Sequence, residues 1–538
     1  MTLIDCGDRA VAVPVDAPDA ATRLAAVRGI AAAVTRAALP GVTDVVPSPG
    51  RVTMIYDPLR ITSHEALRHA LETVVASAGA AAATAAEVHE IPVCYGGDLG
   101  PDLDEVCAAH ALDHERFVEL HTGADYVVEA IGFLPGFGYL AGLPARLVTP
   151  RRATPRRVVP AGSVGIGGGQ TGAYPSASPG GWNLVGSTSA RLFDASRPRP
   201  ALFSVGDRVT FVAIDRAAHD RLGAGAPPDP ASEAGRGSIV VVKPGLFTTI
   251  QDLGRPGHRA AGVPLSGAAD PASLRVANRL VGNRDDAAAL EVTLLGPDLR
   301  FDEDAVIALT GGVFPGIPSH TAVRVRAGDT LRLGHATIGC RGYLAVAGGI
   351  DVPLVLGSRS TFFPARLGGL RGMPLAAGDA LPVGGDRGTP PPVAAARPVG
   401  DRSESRVITL RTIPGEQFGS VGAALWSAAH TTSSRSDRMG VRFDGSPLGD
   451  AAAAGSLPSV AVLPGTVQLP PDGKPIVLLA DAQTIGGYPV IGHVIAAELP
   501  LLAQLRPGDP VRWQPCTIDE AHRAWRDAAR DVGVEPRA

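Results

Sequence analysis

Four times along this chain of 538 residues a Gly-Asp pair stands directly before a strand-like alternation. Gly206-Asp207 precedes Arg208-Val209-Thr210-Phe211, and Gly328-Asp329 precedes Thr330-Leu331-Arg332-Leu333. Gly378-Asp379 precedes Ala380-Leu381-Pro382-Val383, and Gly508-Asp509 precedes Pro510-Val511-Arg512-Trp513. A longer element occurs twice: Gln170-Thr171-Gly172-Ala173-Tyr174-Pro175 is echoed by Gln483-Thr484-Ile485-Gly486-Gly487-Tyr488-Pro489, each upstream of one of those turns. Chance copies of a two-residue turn are cheap in a glycine-rich chain, so the Gln-Thr pair carries more of the inference. Together they predict related β-barrel modules in both halves.

Composition agrees with turn-rich β structure. Gly 66 and Pro 48 supply many tight turns, while only 24 residues are aromatic. The length predicts three to four domains, at about 150 residues each. Lys+Arg 49 against Asp+Glu 53 leaves a net charge of −4, which excludes a basic nucleic-acid surface, and 45% hydrophobic content excludes disorder. The first residues, with Asp5 and Asp8, lack the basic and apolar regions of a signal peptide. The uncharged run Thr73 to Ala86 is shorter than the roughly 18 apolar residues of a membrane span. Five cysteines with no CxxC pair fit a reducing cytoplasm and core thiols.

Near the N-terminus the pattern predicts a strand at Ala10 to Val13, a helix from Asp19 to Ala38, and strands at Val42 to Val46 and Val52 to Tyr56. A second helix follows, opened by a capping-box spacing at Thr62 and Glu65, and then a strand at Val88 to Cys94. That order, βαββαβ, is ferredoxin-like. Ala76 to Ala86, Leu222 to Gly237 and Gly384 to Ser405 punctuate the chain. The second predicts a linker between separable units, and Thr517 with Glu520 predicts a second capping box before a C-terminal helix.

Several clusters could carry chemistry. Gly162 to Gln170 is glycine-rich, readable as a barrel corner or as a substrate or phosphate contact, but it lacks the Gly-Lys-Ser/Thr ending of a Walker loop. Asp481, Gln483, Tyr488 and His493 lie within thirteen residues after the apolar strand Ile476 to Leu479. There a carboxylate and an imidazole could polarise water, or simply satisfy turn amides. Asp252, Arg255, His258, Ser266 and Asp270 form a second polar cluster, and Arg359 and Arg438 are candidate anion anchors. The expected catalytic pair is Asp481 and His493. Gln170, Tyr174, Gln483, Tyr488, Arg255, Ser266 and Arg359 are expected to bind substrate, and no metal ligands are expected.

Longer motifs carry a resemblance. Residues 92–103, Gly132-Phe133-Leu134-Pro135-Gly136-Phe137 and the stretch from Pro160 to Gly186 resemble the B component of 5-oxoprolinase, also called the Kip inhibitor or allophanate hydrolase subunit 1 family. Residues 244–283, Arg341 to Ile350, Gly357 to Thr361 and Gln483 to Pro489 resemble the C component of the same system. The chain thus looks like a natural B–C fusion, also related to the carboxyltransferase region of urea carboxylase. The resemblance implies a mainly β chain with cyclophilin-like β-barrels in both halves. The implied division is a ferredoxin-like α+β domain at 1–88, a barrel at 89–221, a linker at 222–237, a region like the C component with two barrel modules at 238–515, and a C-terminal helix at 516–538.

It also implies ATP-dependent opening of 5-oxoproline to glutamate, with ATP and Mg2+, without bound biotin, and with a separate 5-oxoprolinase A component as partner. A cytoplasmic enzyme component, inactive alone, is expected, with a homo-oligomer among the assemblies and neither nucleic acid nor membrane as partner. Two other readings follow from the same resemblance: an inhibitor of a sensor histidine kinase, and a carboxyltransferase served by an external biotin carrier. The chain departs from the family pattern at Gly138, Ala482 and Val490; at the last two the family carries Arg and Lys, and restoring those cations is expected to tighten an anionic ligand.

Overall fold

The computed structural model describes residues 2–78, 86–224, 238–385, 407–449 and 457–534. Most of the predicted linker at 222–237 and of the stretch 384–405, together with residues 79–85 and the last four residues, lie outside them.

The N-terminal lobe is a four-stranded antiparallel sheet in the order Ile4–Asp5, Ala10–Pro14, Arg51–Tyr56, Val42–Ser48, with helices Ala20–Ala37 and His64–Ser77 on one face. Alternation sends Val11, Val13, Val52 and Met54 under those helices, while Ala10, Val46 and Ile55 point the other way. There they meet Ala130, Ala461, Leu463 and Ile485, so the sheet is buried on both faces. Asp8 accepts from the Ala496 amide at 2.8 Å, and His522 on the C-terminal helix Ile518–Asp531 bonds the Asp8 carbonyl at 2.8 Å. The halves on either side of the predicted linker therefore share an interface.

Two expectations are corrected. The strand Val88–Tyr95, expected to complete the ferredoxin-like order, joins the first barrel, because Ile91 and Val93 find the larger core there; Ile4–Asp5 is the lobe's fourth strand. The helix at His64 is capped by Ser63, whose hydroxyl accepts from the Ala66 amide at 3.1 Å, and not by Thr62: the extended backbone that a cap requires falls at Ser63. The capping box of Thr517 and Glu520 forms as expected.

Each half contains one closed seven-stranded barrel. The first is built from Val88–Tyr95, Tyr126–Ile131, Gly138–Ala141, Ser163–Gly167, Gln170–Ala173, Asn183–Ser187 and Arg208–Ala213. The second uses Ile408–Pro414, His430–Thr432, Gly440–Asp444, Thr466–Gln468, Ile476–Leu478, Val490–Val494 and Pro510–Pro515. Taken in chain order, the strands follow one another around the two barrels in the same sequence. In each the first and last strands pair in parallel and every other pair is antiparallel. Each also carries a two-stranded ribbon at the same place in that order: Arg156–Val159 with Ser178–Gly180, and Val460–Ala461 with Ile485–Gly486.

Residues 239–383, expected as a further barrel module, instead form a four-stranded and a five-stranded sheet around one core that includes Val241, Leu290, Phe301 and Leu344. The cause is two corners. Ile239–Lys243 and Phe247–Gln251 are separated at Pro244-Gly245, and Ala289–Thr293 and Asp298–Phe301 at Leu294 to Pro297, so each run leaves one sheet for the other. The corners touch: Gly245 has φ +76, and a Cβ there would lie 2.3 Å from the Leu295 carbonyl oxygen.

The four Gly-Asp pairs fold alike. The residue three before each Asp (Ser204, Arg326, Ala376, Arg506) donates its amide to that carboxylate at 2.7–2.8 Å and accepts the Asp amide on its own carbonyl at 3.0–3.2 Å. The glycine holds φ between +88 and +91 in every copy, the conformation of the third position of a type II turn.

Candidate active site

Three of the resembling motifs converge between the modules. The Gly136 amide, in the first barrel's Gly132 to Phe137 loop, donates to Ala261 at 2.9 Å, and the Ser266 amide donates to Ala480 at 3.0 Å. Glycine is needed where they cross: a Cβ on Gly262 would lie 2.6 Å from the Leu134 carbonyl oxygen, and one on Gly132 would lie 2.3 Å from Ile485.

Beneath this junction lies a buried charge network. Asp481, 2% exposed, takes the Arg438 guanidinium in two hydrogen bonds at 2.7 and 3.0 Å, and the Ser266 hydroxyl donates to it at 2.7 Å. Arg438 also pairs with Glu291 and donates to the Gly267 carbonyl at 2.7 Å. Tyr343 donates its hydroxyl to Glu291 at 2.8 Å. Burial pushes the Glu291 carboxyl up, but Arg438 and Arg341 outweigh it and hold the group below its ordinary range. Burial likewise disfavours the charged Arg438, and Asp481 with Glu291 reverses the sign. Ser266, a non-glycine residue at φ +54, is held there by its bonds to Asp481 and the Thr361 carbonyl.

Arg255 lies nearby and fully buried, donating to the Ser360 carbonyl; burial lowers it to about 10, against the pull of Asp252 and Asp481. Asp252 accepts the Ser358 hydroxyl and the Arg359 amide, both at 2.6 Å. Arg359 points away to Asp351, at 2.6 Å, on the wall of a cavity of about 660 Å³.

His493 is elsewhere. With Tyr488, which is 47% exposed, it lines a cavity of about 230 Å³ between the N-terminal lobe and the second barrel. The lobe contributes Asp5, Cys6 and Arg51; Glu416 and Gln417 close the opposite side. Arg51 and Glu416 make a bidentate pair at 2.8 and 3.1 Å. His493 Nδ1 meets the Thr466 hydroxyl at 3.4 Å, and burial, helped by Arg9, lowers its pKa to about 4, so the imidazole is neutral at pH 7. The Cys6 thiol is pushed up to about 12 by burial. Among the described residues no hydrogen bond or ion pair joins Asp481 to His493. Ala482 and Val490 pack with Val462 and Leu478, and Val490 also lines the cavity, so a cation restored at 482 would enter an apolar cluster and one at 490 would stand at the cavity wall.

The remaining expected residues scatter. Gln170 reaches Glu129 only at 3.5 Å, Tyr174 packs among Phe133, Phe137 and Trp182 in the first half, and Gln483 is half-buried beside Gly486. Sequence reasoning missed Arg51 and Glu416, which are 365 residues apart and carry no joint signal. It also missed Glu291, whose signal was available: a lone carboxylate inside the apolar strand Ala289–Thr293.

Residues 1–203 match the family described as "Carboxyltransferase domain, subdomain C and D", and residues 261–515 the one described as "Carboxyltransferase domain, subdomain A and B". The chain is 39% identical over 304 residues to the C subunit of 5-oxoprolinase from Escherichia coli (strain K12), covering 54% of this chain and 96% of that protein. It is 39% identical over 197 residues to the B subunit of 5-oxoprolinase from Bacillus subtilis (strain 168), 35% of this chain and 82% of that protein. The chain belongs to the family of the 5-oxoprolinase B and C components, fused in one polypeptide. Within that carboxyltransferase-domain family it is also 33% identical over 330 residues to urea amidolyase of Lachancea kluyveri, 55% of this chain but 18% of that protein. The crystal structure of TTHA0988 superposes with a TM-score of 0.79 at 36% identity, covering 94% of this chain and 99% of that one. Among the described residues no helix is long and apolar enough to cross a membrane.

Proposed function

We propose that this chain is the B and C component of an ATP-dependent 5-oxoprolinase, opening 5-oxoproline to glutamate with a separate A component and inactive without it. The observation that carries the reading is that relatives of the B type and of the C type together span both halves of one polypeptide, whose lobe and second barrel enclose the His493 cavity. At about 230 Å³ the cavity falls just below the roughly 300–1,000 Å³ of drug-sized sites, a volume suited to a compact lactam and too small for a nucleotide beside it.

An unstrained lactam is a poor electrophile, so its oxygen must gain a leaving group, which a phosphoryl group from ATP supplies, before water attacks the carbon. In this reading neutral His493 accepts the proton of that water. The exposed Tyr488 hydroxyl donates to the substrate at the mouth, and Arg51, exchanging Glu416 for the substrate carboxylate, orients the ring. Asp481, Ser266 and Arg438 act as positioning residues that fix the 480–488 loop. Arg255 supports that network, while Gln170, Tyr174, Gln483 and Arg359 lie outside the cavity lining. Among the described residues no three His, Cys, Asp or Glu side chains form a metal-binding group, so Mg2+ would enter with ATP.

A second reading, carboxyl transfer from an external biotin carrier, draws on the family description and the urea amidolyase relative. The test is oxoproline-dependent ATP hydrolysis by the full chain together with a 5-oxoprolinase A component, against carboxyl transfer from a biotinylated carrier. His493→Ala is expected to lower oxoproline-dependent hydrolysis by about 10²-fold or more. Activity only in the biotin assay would overturn the first reading.

A further inference from the structure

The ribbon of the second barrel, Val460–Ala461 with Ile485–Gly486, contributes to the wall of the His493 cavity. Its counterpart on the first barrel, Arg156–Val159 with Ser178–Gly180, has a different chemistry. It is entered through Arg151 and Arg152 and carries Arg156 and Arg157. A single carboxylate, Asp102, takes both Arg152 and Arg156 on one oxygen at 2.9 and 2.6 Å, while its other oxygen accepts the Leu184 amide at 2.7 Å. Glu105 stands 3.6 Å from Arg152 at the surface. Arg151 and Arg157 are exposed and enter no ion pair among the described residues. The ribbon is thus richer in positive charge than in carboxylates.

Three buried polar atoms on this stretch have no hydrogen-bond partner among the described residues: Arg156 Nη1, Ser176 Oγ and Ser178 Oγ, the last on a residue only 8% exposed. A buried donor left unmade is costly, so three together mark a place that an acceptor-rich group completes. The antiparallel register sets Gly180 against Arg156 and Ser178 against Val159. Gly180 has no side chain because the Tyr174 hydroxyl lies over it; a Cβ there would be 2.7 Å from that oxygen. Beyond the ribbon, Gly168 and Gly169 face open space: a Cβ on either would meet nothing within 4 Å. The guanidinium and hydroxyl donors at the edge of the Val159, Tyr174 and Trp182 cluster match an oxyanion bearing several acceptor oxygens.

We propose that the first barrel's ribbon is a phosphoryl-binding site, with Arg151, Arg156 and Ser178 as its donors. In naming ATP as the source of that phosphoryl group the proposal rests on the function proposed above; a free phosphate would use the same donors.

The test is calorimetric titration of the full chain with ATP, inorganic phosphate and 5-oxoproline at two ionic strengths, for wild type, Arg151→Gln, Ser178→Ala, Arg156→Gln and Arg359→Gln. Arg151 is exposed and Ser178→Ala is nearly isosteric, so both should fold even if Arg156→Gln does not. ATP and phosphate should compete, Arg151→Gln and Ser178→Ala should each weaken both by about fivefold or more, and Arg359→Gln should change neither. Affinity should fall with salt. The proposal is overturned if wild type binds neither phosphate nor ATP, if 5-oxoproline alone competes for the ribbon, or if Arg359→Gln is the variant that loses binding. Undiminished oxoproline-dependent ATP hydrolysis in Arg151→Gln would also sink the site while leaving the proposed function standing. Phosphate binding that the variants weaken, in a chain without such hydrolysis, would support the site and remove ATP as its source.

Discussion

The two barrels share strand order and pairing directions, yet their interiors are filled differently. Counting from the Gly-Asp turn, Phe211 and Trp513 occupy the same place on the last strand, and Tyr126 and His430 the same place across from it. In the first barrel Tyr126 packs edge-on to Phe211 at 5.2 Å, and His121 from the helix His114–Thr122 stacks on Phe211 at 4.6 Å. In the second, His430 on the wall itself approaches Trp513 at 6.0 Å and accepts its indole N–H at 3.0 Å. Topology is therefore fixed by turns and alternation, which tolerate a change of core residue as long as volume and hydrogen bonds are met.

The barrels also differ in how they are tied to the sheets between them, and the largest expected effect tests that. The second barrel reaches the 239–383 region through Arg438, buried between Asp481 and Glu291; the first barrel's ion cluster, Asp102 with Arg152 and Arg156, is half open to solvent. Arg438→Met leaves buried Asp481 without its ion-pair partner and Glu291 with Arg341 alone, and should cost about 3–5 kcal/mol. Asp102→Asn should cost about 1–3 kcal/mol. Urea unfolding at pH 7 measures both, and an Arg438→Met penalty no larger than that of Asp102→Asn would dissolve the distinction.

Acid should separate the barrels next. His121, fully buried between the Tyr95 and Thr171 hydroxyls, is lowered by burial to about 3, and His493 to about 4, against an ordinary 6.5. Unfolding lets both take up a proton, so each stabilises fully above pH 6.5 and loses that contribution as pH falls toward its folded value. The His493 contribution amounts to about 3 kcal/mol and is gone by pH 4, whereas the His121 contribution continues to decline to pH 3. Stability of His493→Asn measured at pH 7, 5.5 and 4 should fall less steeply than that of wild type; parallel curves would mean that His493 is solvated.

The smallest effect sharpens the likeness. Gly328→Ala, Gly378→Ala and Gly508→Ala each place a side chain at φ near +90 with no atom within 4 Å, so only backbone strain is felt, about 1–2 kcal/mol in each. Gly206→Ala should cost at least as much, because Arg28 must also move. Melting temperatures that scattered widely among the first three would contradict a common turn.

These turns also show how much the sequence disclosed. The four Gly-Asp pairs, the cheaper signal, mark one shared geometry, and two of them open equivalent barrel strands. The Gln-Thr echo, the longer one, is not a structural repeat: Gln170 is on a barrel strand, whereas Gln483 lies on the crossover between Ile476–Leu478 and Val490–Val494. Barrels were legible because alternation and turns are local. The His493 cavity was half legible: His493 and Tyr488 stand close in sequence, but the Arg51–Glu416 pair depends on a lobe docking hundreds of residues away. Asp481 drew attention as a carboxylate after an apolar strand, and that position proved to hold an interior counter-charge for Arg438.

The N-terminal sheet, covered by its own helices on one face and by residues of both halves on the other, bears on why these two halves travel together. Two separate polypeptides would have to find each other at cellular dilution before that second face was closed. One polypeptide fixes their stoichiometry at one to one and raises their effective concentration to about the millimolar range, so a modest apolar contact suffices to keep the lobe seated.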